Sequence, residues 1–350
     1  MMRAMVDNLL ERLSRRLRLP YGVLALAVSV VLFLPLDPIS PPGESHLLTN
    51  ITRPGLGAWT DEVDLAFKVI LVALFFYCLV AIRWMRERSA RTLVEIADLA
   101  PDGEGAGNGP FARAADGRPP LVASLILLVI LLAEHFASGG TVPADWMPVF
   151  VLDVAVMAVR AIVIVSFVWV YMGSVAGLTA ICRRPLRFVS NLDDPFLGTR
   201  PLGDLSLALA SAYFIGMAVA AAWLYSAGAQ PTLSATWAAC TCLGLVLFFF
   251  PLRAVHRQMT AKKAELSALS TARLLEILDL SMRVTPAHRS TVELTDLHAA
   301  VAWGYVDGRV AAIRTWPFDT VLIARLVSAF AVPILIAVIA HVAILETMGG

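Results

Sequence analysis

Apolar residues run along this chain in long uninterrupted stretches, separated by segments where arginine, glycine and proline collect. A stretch of about 18 apolar residues or more has the length of a bilayer-spanning helix. The pattern predicts seven such helices, at about 20–36, 65–84, 120–137, 148–171, 204–226, 232–252 and 319–343. The expected fold class is an all-α polytopic integral membrane protein, with a helical hairpin between the last two spans. The first run follows basic residues, as a secretory signal does. It ends in "LPLDPISPPGES", with no small-x-small cleavage site, and is read as an uncleaved anchor.

The polar segments carry patterns of their own. In residues 1–19, Val6, Leu9, Leu10, Leu13 and Leu17 recur at helical spacing with arginines between them. That predicts an amphipathic helix on the inner leaflet, a topology anchor or a lipid sensor. Residues 98–119 are rich in Gly, Ala and Pro, and the composition predicts a flexible cytosolic linker. Between 253 and 318, Leu266, Leu269, Leu274 and Leu278 lie on one broad helical face before Pro286. "STVE", Ser290 to Glu293, has capping-box spacing, and Leu294, Leu297 and Val301 follow it as a second stripe. Two helices with so short a break between them should pack antiparallel. Residues 319–350 complete the chain as the seventh span and an outer C-terminus.

Composition supports the membrane class. Hydrophobic residues make up 58% of the chain and charged residues 16%, against roughly 25% charged in soluble domains. The net charge of +1 carries little information, but its placement does. Arg3, Arg12, Arg15, Arg16 and Arg18 precede the first span; Arg83 to Arg118, Arg183 to Arg200 and Arg253 to Arg314 occupy alternate loops, while the opposite loops hold only Arg53. Basic residues stay on the cytoplasmic side. The N-terminus and the 253–318 hairpin are therefore expected in the cytosol and the C-terminus outside, in a bacterial plasma membrane. The cysteines, Cys78, Cys182, Cys240 and Cys242, lie in or beside apolar runs, which speaks against a disulfide framework.

"PLRAVHRQMTAKKAEL" and "IRTWPFDTVLIARL" frame the hairpin, and "DDPFLGTRPLGDLSL" is an Asp/Gly-rich loop. Together they resemble a group of uncharacterised bacterial polytopic membrane proteins with a cytosolic helical hairpin and a W-P-F/W re-entry. The chain lacks that group's Gly-Gly-Leu core in the loop. The resemblance covers the C-terminal half and implies no activity.

Small residues point to helix contacts, because lipid tails supply no hydrophobic drive to association. Ala208, Ala212, Gly216 and Ala220 are four apart on the fifth span, and Ala235 and Ala239 lie on the sixth. These two spans are expected to meet along the Ala208–Ala220 face. Gly173 and Gly177 make a G-x-x-x-G match, either a dimerisation face or a loose helix end.

Charges inside apolar runs are the candidate chemistry. Asp153 and Arg160 lie two turns apart on one helical face, about 10 Å along the axis. Arg160 falls near mid-membrane, where a charge costs about 2.5–3.5 kcal/mol and must face water or a partner. Glu134 on the third span is the expected partner. The pair is either structural, or Arg160 lines a hydrated, anion-attracting path. Trp316 is placed at the interface, and Arg325, one turn inside the last span, snorkels to the surface. His135 and His341 share the outer depth, where two histidines could hold a haem or metal, but ordinary interfacial histidines fit better and no cofactor is expected. Cys240 and Cys242, two apart on a helix, point away from each other.

Hydrolase, zinc-protease and phosphate-loop motifs are absent, and the arginines follow topology and form no nucleic-acid-binding face. Three readings stand. A homo-oligomeric channel or transport protein, with a path at Arg160, comes first. A signalling or scaffold protein whose 253–318 hairpin binds a cytosolic partner comes next, and a membrane enzyme with an unfamiliar site is third. The bilayer is the one partner common to all.

Overall fold

Inside hydrocarbon a backbone must satisfy its own N–H and C=O groups, which long apolar runs do by winding into helix. The computed structural model describes residues 9–33, 61–96, 99, 111, 118–137, 147–188, 194–226, 232–283, 289–328, 331 and 335, and contains no strand among them. In chain order the helices are α1 (Leu9–Leu17), α2 (Tyr21–Phe33), α3 (Asp61–Glu95), α4 (Arg118–Ala137), α5 (Met147–Cys182), α6 (Arg200–Ser226), α7 (Thr232–Arg283) and α8 (Arg289–Ala312), with α9 over 320–328.

Four of them are long and apolar enough to cross a membrane, through Val69–Glu95, Val154–Cys182, Arg200–Ala220 and Ala239–Ile277. The apolar parts of α2 and α4, Tyr21–Val31 and Pro119–Ile130, are shorter. Helix occupies the described part of each expected span, yet only four of the seven meet the length criterion among the described residues, and most of 319–343 lies outside them. The chain thus has the helical make-up of an integral membrane protein.

Helix ends run past the expected boundaries. α3 continues to Glu95, carried by Glu87, which accepts from Arg83 Nε at 2.7 Å and Arg91 Nη2 at 3.3 Å, one turn either side. α7 is the larger surprise. Its 52 residues pass through Pro251 without ending, so the boundary expected at 252/253 falls inside one helix of about 78 Å. A proline removes one ladder bond. Here Ser206 Oγ donates to the Phe248 carbonyl at 2.9 Å, one turn before Pro251, which supplies a side-chain donor to the disturbed turn.

α3 lies at the centre, with α2, α5 and α6 packed on it. α4 lies on α5, and α7 packs on α5, α6 and α8. Met85, Leu178, Leu202, Leu205, Val255 and Met259, from α3, α5, α6 and α7, form the most completely buried layer. A second cluster joins Ala25, Phe75, Leu79 and Val163. A third joins Phe214, Phe248 and Leu252 to Phe318 and Leu322.

Three packing expectations change. α6 and α7 do meet, but not along the Ala208–Ala220 stripe. A Cβ at Gly216 would lie 3.2 Å from the Tyr77 ring and 3.6 Å from Phe167, so this glycine faces α3 and α5. Tyr77 Oη donates to the Ala212 carbonyl on the same face. The α6–α7 contact uses Ser206, Tyr213 and Phe214, with Tyr213 Oη donating to the Cys240 carbonyl at 2.7 Å and Gly244 making room for both rings. Small residues marked close approach correctly, but spacing alone does not say which neighbour approaches.

The linker is not free throughout. Leu99 and Phe111 are buried in the core, and Phe111 fills the space left by Gly177 of the G-x-x-x-G pair. The hairpin packs antiparallel, since Lys263, Leu266 and Ser270 of α7 meet 313, 310 and 307 of the returning chain in reverse order. Its contact face is Val306, Val310 and Ile313, whereas Leu269 and Val301 point away. The side chains of Leu278, Leu294 and Leu297 lie outside the described residues.

Candidate functional site

At the arginine-rich end α5 stops, α6 begins and α7 leaves the bundle. A helix end leaves carbonyls and N–H groups unsatisfied, and Gln258 of α7 takes up three of them. Its Nε2 donates to the Cys182 and Arg184 carbonyls at 2.9 and 2.8 Å, while Oε1 accepts the Leu186 N–H at 3.0 Å. One amide thereby ties the end of α5 to α7. The Arg187 N–H donates to the Leu99 carbonyl at 2.8 Å, which brings the linker into the same knot.

The loop into α6 is equally determined. Asp194 accepts from the Phe196 and Gly198 N–H groups at 2.9 and 2.6 Å. Leu197 and Gly198 turn left-handed, with φ of 51° and 84°. A non-glycine residue there costs about 1–2 kcal/mol, and burial of Leu197 against Val310 and Ile313 offsets it. Thr199, fully buried, donates to the Phe196 carbonyl at 2.7 Å and lies 3.3 Å from Met259 Sδ. The Asp/Gly-rich sequence is thus a capped turn wedged against α7 and the chain leaving α8.

That departing segment, 313–319, straps across the junction. The Arg314 N–H donates to the Pro195 carbonyl at 2.9 Å, and its guanidinium stands 5.4 Å over the Phe196 ring. Trp316 stacks on His256 of α7, centroids 4.1 Å apart and planes at 14°. His256 Nδ1 donates to the Thr315 carbonyl at 2.8 Å. Lys263 Nζ donates to the Ala311 and Ile313 carbonyls at 2.8 and 2.6 Å, closing the C-terminus of α8 as a cation should. Gly203 lets the Pro317 carbonyl lie directly on α6, where any Cβ would overlap it. Asp319 then caps α9 by accepting the Leu322 N–H at 2.8 Å.

These polar groups are spent on backbone partners, so the junction's evident work is mechanical. It clamps the hairpin arm, the part of α7 beyond Met259 with α8, to the bundle. Sequence reasoning singled out Trp316 and the Asp/Gly-rich loop but missed Gln258, Lys263, His256 and Gly203. Only "HRQ" beside a span gave any signal, and it reads equally well as a topology anchor.

The other predicted residues fall elsewhere. Arg160 is partly buried on the α5 face that carries Val156, Val163 and Phe167 toward Leu71, Val72 and Phe75 of α3. The Ser89–Ser174 and Tyr77–Phe167 contacts set α3 and α5 parallel, which puts Arg160 about 10 Å along the axis from Phe167, away from the junction. Glu134 and Asp153 lie on α4 and α5, but their side chains, like that of His135, are outside the described residues, and His341 is wholly outside them. The Arg160–Glu134 pair and the paired histidines therefore have no geometry here. Arg325 is exposed on α9. All four cysteines are free thiols; Cys78 and Cys182 are buried, while Cys242 is exposed. No family model, curated protein or solved structure matches this chain.

Proposed function

We propose that this protein is a membrane-anchored assembly or signalling protein, whose clamped helical arm presents a docking surface to a cytosolic protein. The observation that carries the reading is the outer face of α8. Val301 and Tyr305, one turn apart, are 64% and 61% exposed, and a Cβ at Gly304 or Gly308 would meet nothing. Leu269 and Leu275 are likewise uncovered on α7. Exposed apolar side chains with small residues beside them are what a partner helix covers, and Arg309, stacked 5.3 Å over the Tyr305 ring, adds a cation at the edge. The clamp gives that surface a fixed position relative to the bundle, and the arginine asymmetry assigns it to the cytosol.

A photo-crosslinking residue at Tyr305, with one at the exposed Arg273 as reference, tests this in intact cells. Adducts to one discrete polypeptide at Tyr305 and not at Arg273 are expected. An adduct of twice the chain's mass makes the partner a second copy and keeps the homo-oligomer. No adduct at either position contradicts the reading.

A second reading, a channel or transport protein, is favoured by a cation partly buried between apolar faces of α5 and α3. Arg160→Gln in proteoliposomes tests it. Altered ion flux with an unchanged melt supports a permeation path, and unchanged flux removes its one residue-level support.

A further inference from the structure

α1 turns polar side chains inward. A helix packed on protein buries its leucines, but among the described side chains of α1 Glu11 and Ser14 are the buried ones, at 8% and 9% exposure, while Leu13, Leu17 and the following Leu19 point away at 37%, 52% and 43%. Glu11 turns toward α3, its Oε1 3.9 Å from Arg83 Nε. Arg83 stands 4.8 Å over the Tyr21 ring, and Tyr21 Oη donates to the Leu79 carbonyl at 2.9 Å. Arg86, on the same side of α3, has its Nε buried without a hydrogen-bond partner among the described residues. The end of α1 is equally built. Arg18 takes a left-handed φ of 55°, the Leu19 N–H donates to the Ser14 carbonyl at 3.1 Å, and Ser14 Oγ donates back to the Leu19 carbonyl at 2.7 Å.

We propose that this corner is a docking surface for an anionic bilayer leaflet, with α1 lying in the interface. Leu13, Leu17 and Leu19 enter the acyl boundary, Arg16 and Arg18 meet the lipid phosphates, and the Glu11–Arg83 contact holds the helix in that orientation. Two observations select lipid over a protein partner. Beyond the turn at Leu19, α2 also exposes apolar side chains, Val23, Leu26 and Val31, so that both helices present apolar residues outward. The charge on α1 and the adjoining end of α3 is complementary to anionic headgroups: Arg16, Arg18, Arg83, Arg86, Arg88 and Arg91 outnumber Glu11, Glu87 and Glu95, with Glu87 held by Arg83 and Arg91. Each basic residue near such a surface strengthens binding about fivefold, and Arg16 with Arg18 about 25-fold. The inference is independent of the arm's partner and uses a different end of the chain.

The test uses the full chain in nanodiscs of phosphatidylcholine alone or mixed with phosphatidylglycerol. A fluorophore is attached through Leu13→Cys, with Cys240 and Cys242 changed to Ser. Quenching by lipid-borne nitroxide, growing with phosphatidylglycerol, is expected. Arg16→Gln with Arg18→Gln should shift the phosphatidylglycerol dependence about 25-fold. Quenching by aqueous iodide in both lipids overturns the proposal. So does shielding from both quenchers, which means a protein or second copy covers the face, and so does lipid quenching indifferent to phosphatidylglycerol. As a check free of the label, native mass spectrometry of the unlabelled chain should show phosphatidylglycerol retained and lost on the double arginine change. Equal retention also overturns it.

Discussion

The junction and the Arg160 face of α5 lie along the same bundle and are held by opposite means. At the junction, side chains bind backbone: Gln258 closes α5, Lys263 closes α8 and Asp194 closes the turn into α6. About four turns and more toward the other end, α5 meets α3 through Val156, Val163 and Phe167 against Leu71 and Phe75, on the face that also carries Arg160. Polar capping is directional and fails when one atom is lost. Apolar packing is non-directional and degrades by degrees. The arm should therefore depend on few residues, and the span contacts on many.

The sharpest way to break that contrast is Gly203→Leu. A side chain there overlaps the Pro317 carbonyl, a backbone atom that cannot swing aside. The change should cost about 3 kcal/mol or more and release the strap, read as a large fall in melting temperature by fluorescence size-exclusion. Gln258→Leu comes next. It keeps the volume but strands one N–H and two carbonyls, for about 2–3 kcal/mol in the same assay. Gly216→Leu sharpens the comparison from the packing side. It should cost about 1–3 kcal/mol by pressing on Tyr77 and Phe167. Tyr77→Ala should relieve it and Tyr213→Ala should not, because Tyr213 serves the α7 side.

The same contrast explains what was legible in the sequence. Hydrophobic run length located the four long apolar helices, since the bilayer imposes it on composition. It missed the end of α3 because Arg83, Glu87 and Arg91 read as loop charges, while on a helix they pair one turn apart. Pro251 and the basic residues after it suggested a boundary. In three dimensions α6 supplies a hydroxyl at the disturbed turn and the helix continues. Small-residue spacing announced close approach at Gly216 and Gly177 but not the aromatic that comes, Tyr77 in one case and Phe111 from the linker in the other. Of the second stripe expected in the hairpin, Val301 is exposed, while Val306, Val310 and Ile313, also at helical spacing, pack toward Leu266 of α7. The junction was least legible. Gln258 and Lys263 lie in the basic stretch 251–266, where nothing marks them as caps, because capping needs one donor in the right place and no repeated pattern.

The central claim is that α7 is one helix from the bundle to the arm, held in place by the junction. Spin labels on the exposed Met172 of α5 and Arg273 of α7, read by pulsed dipolar spectroscopy in nanodiscs, test it most directly. A single narrow distance distribution in the otherwise native chain, broadened by Gln258→Leu, is the predicted result. A distribution equally broad in both backgrounds would mean that the arm moves freely about Pro251 and that the junction holds nothing.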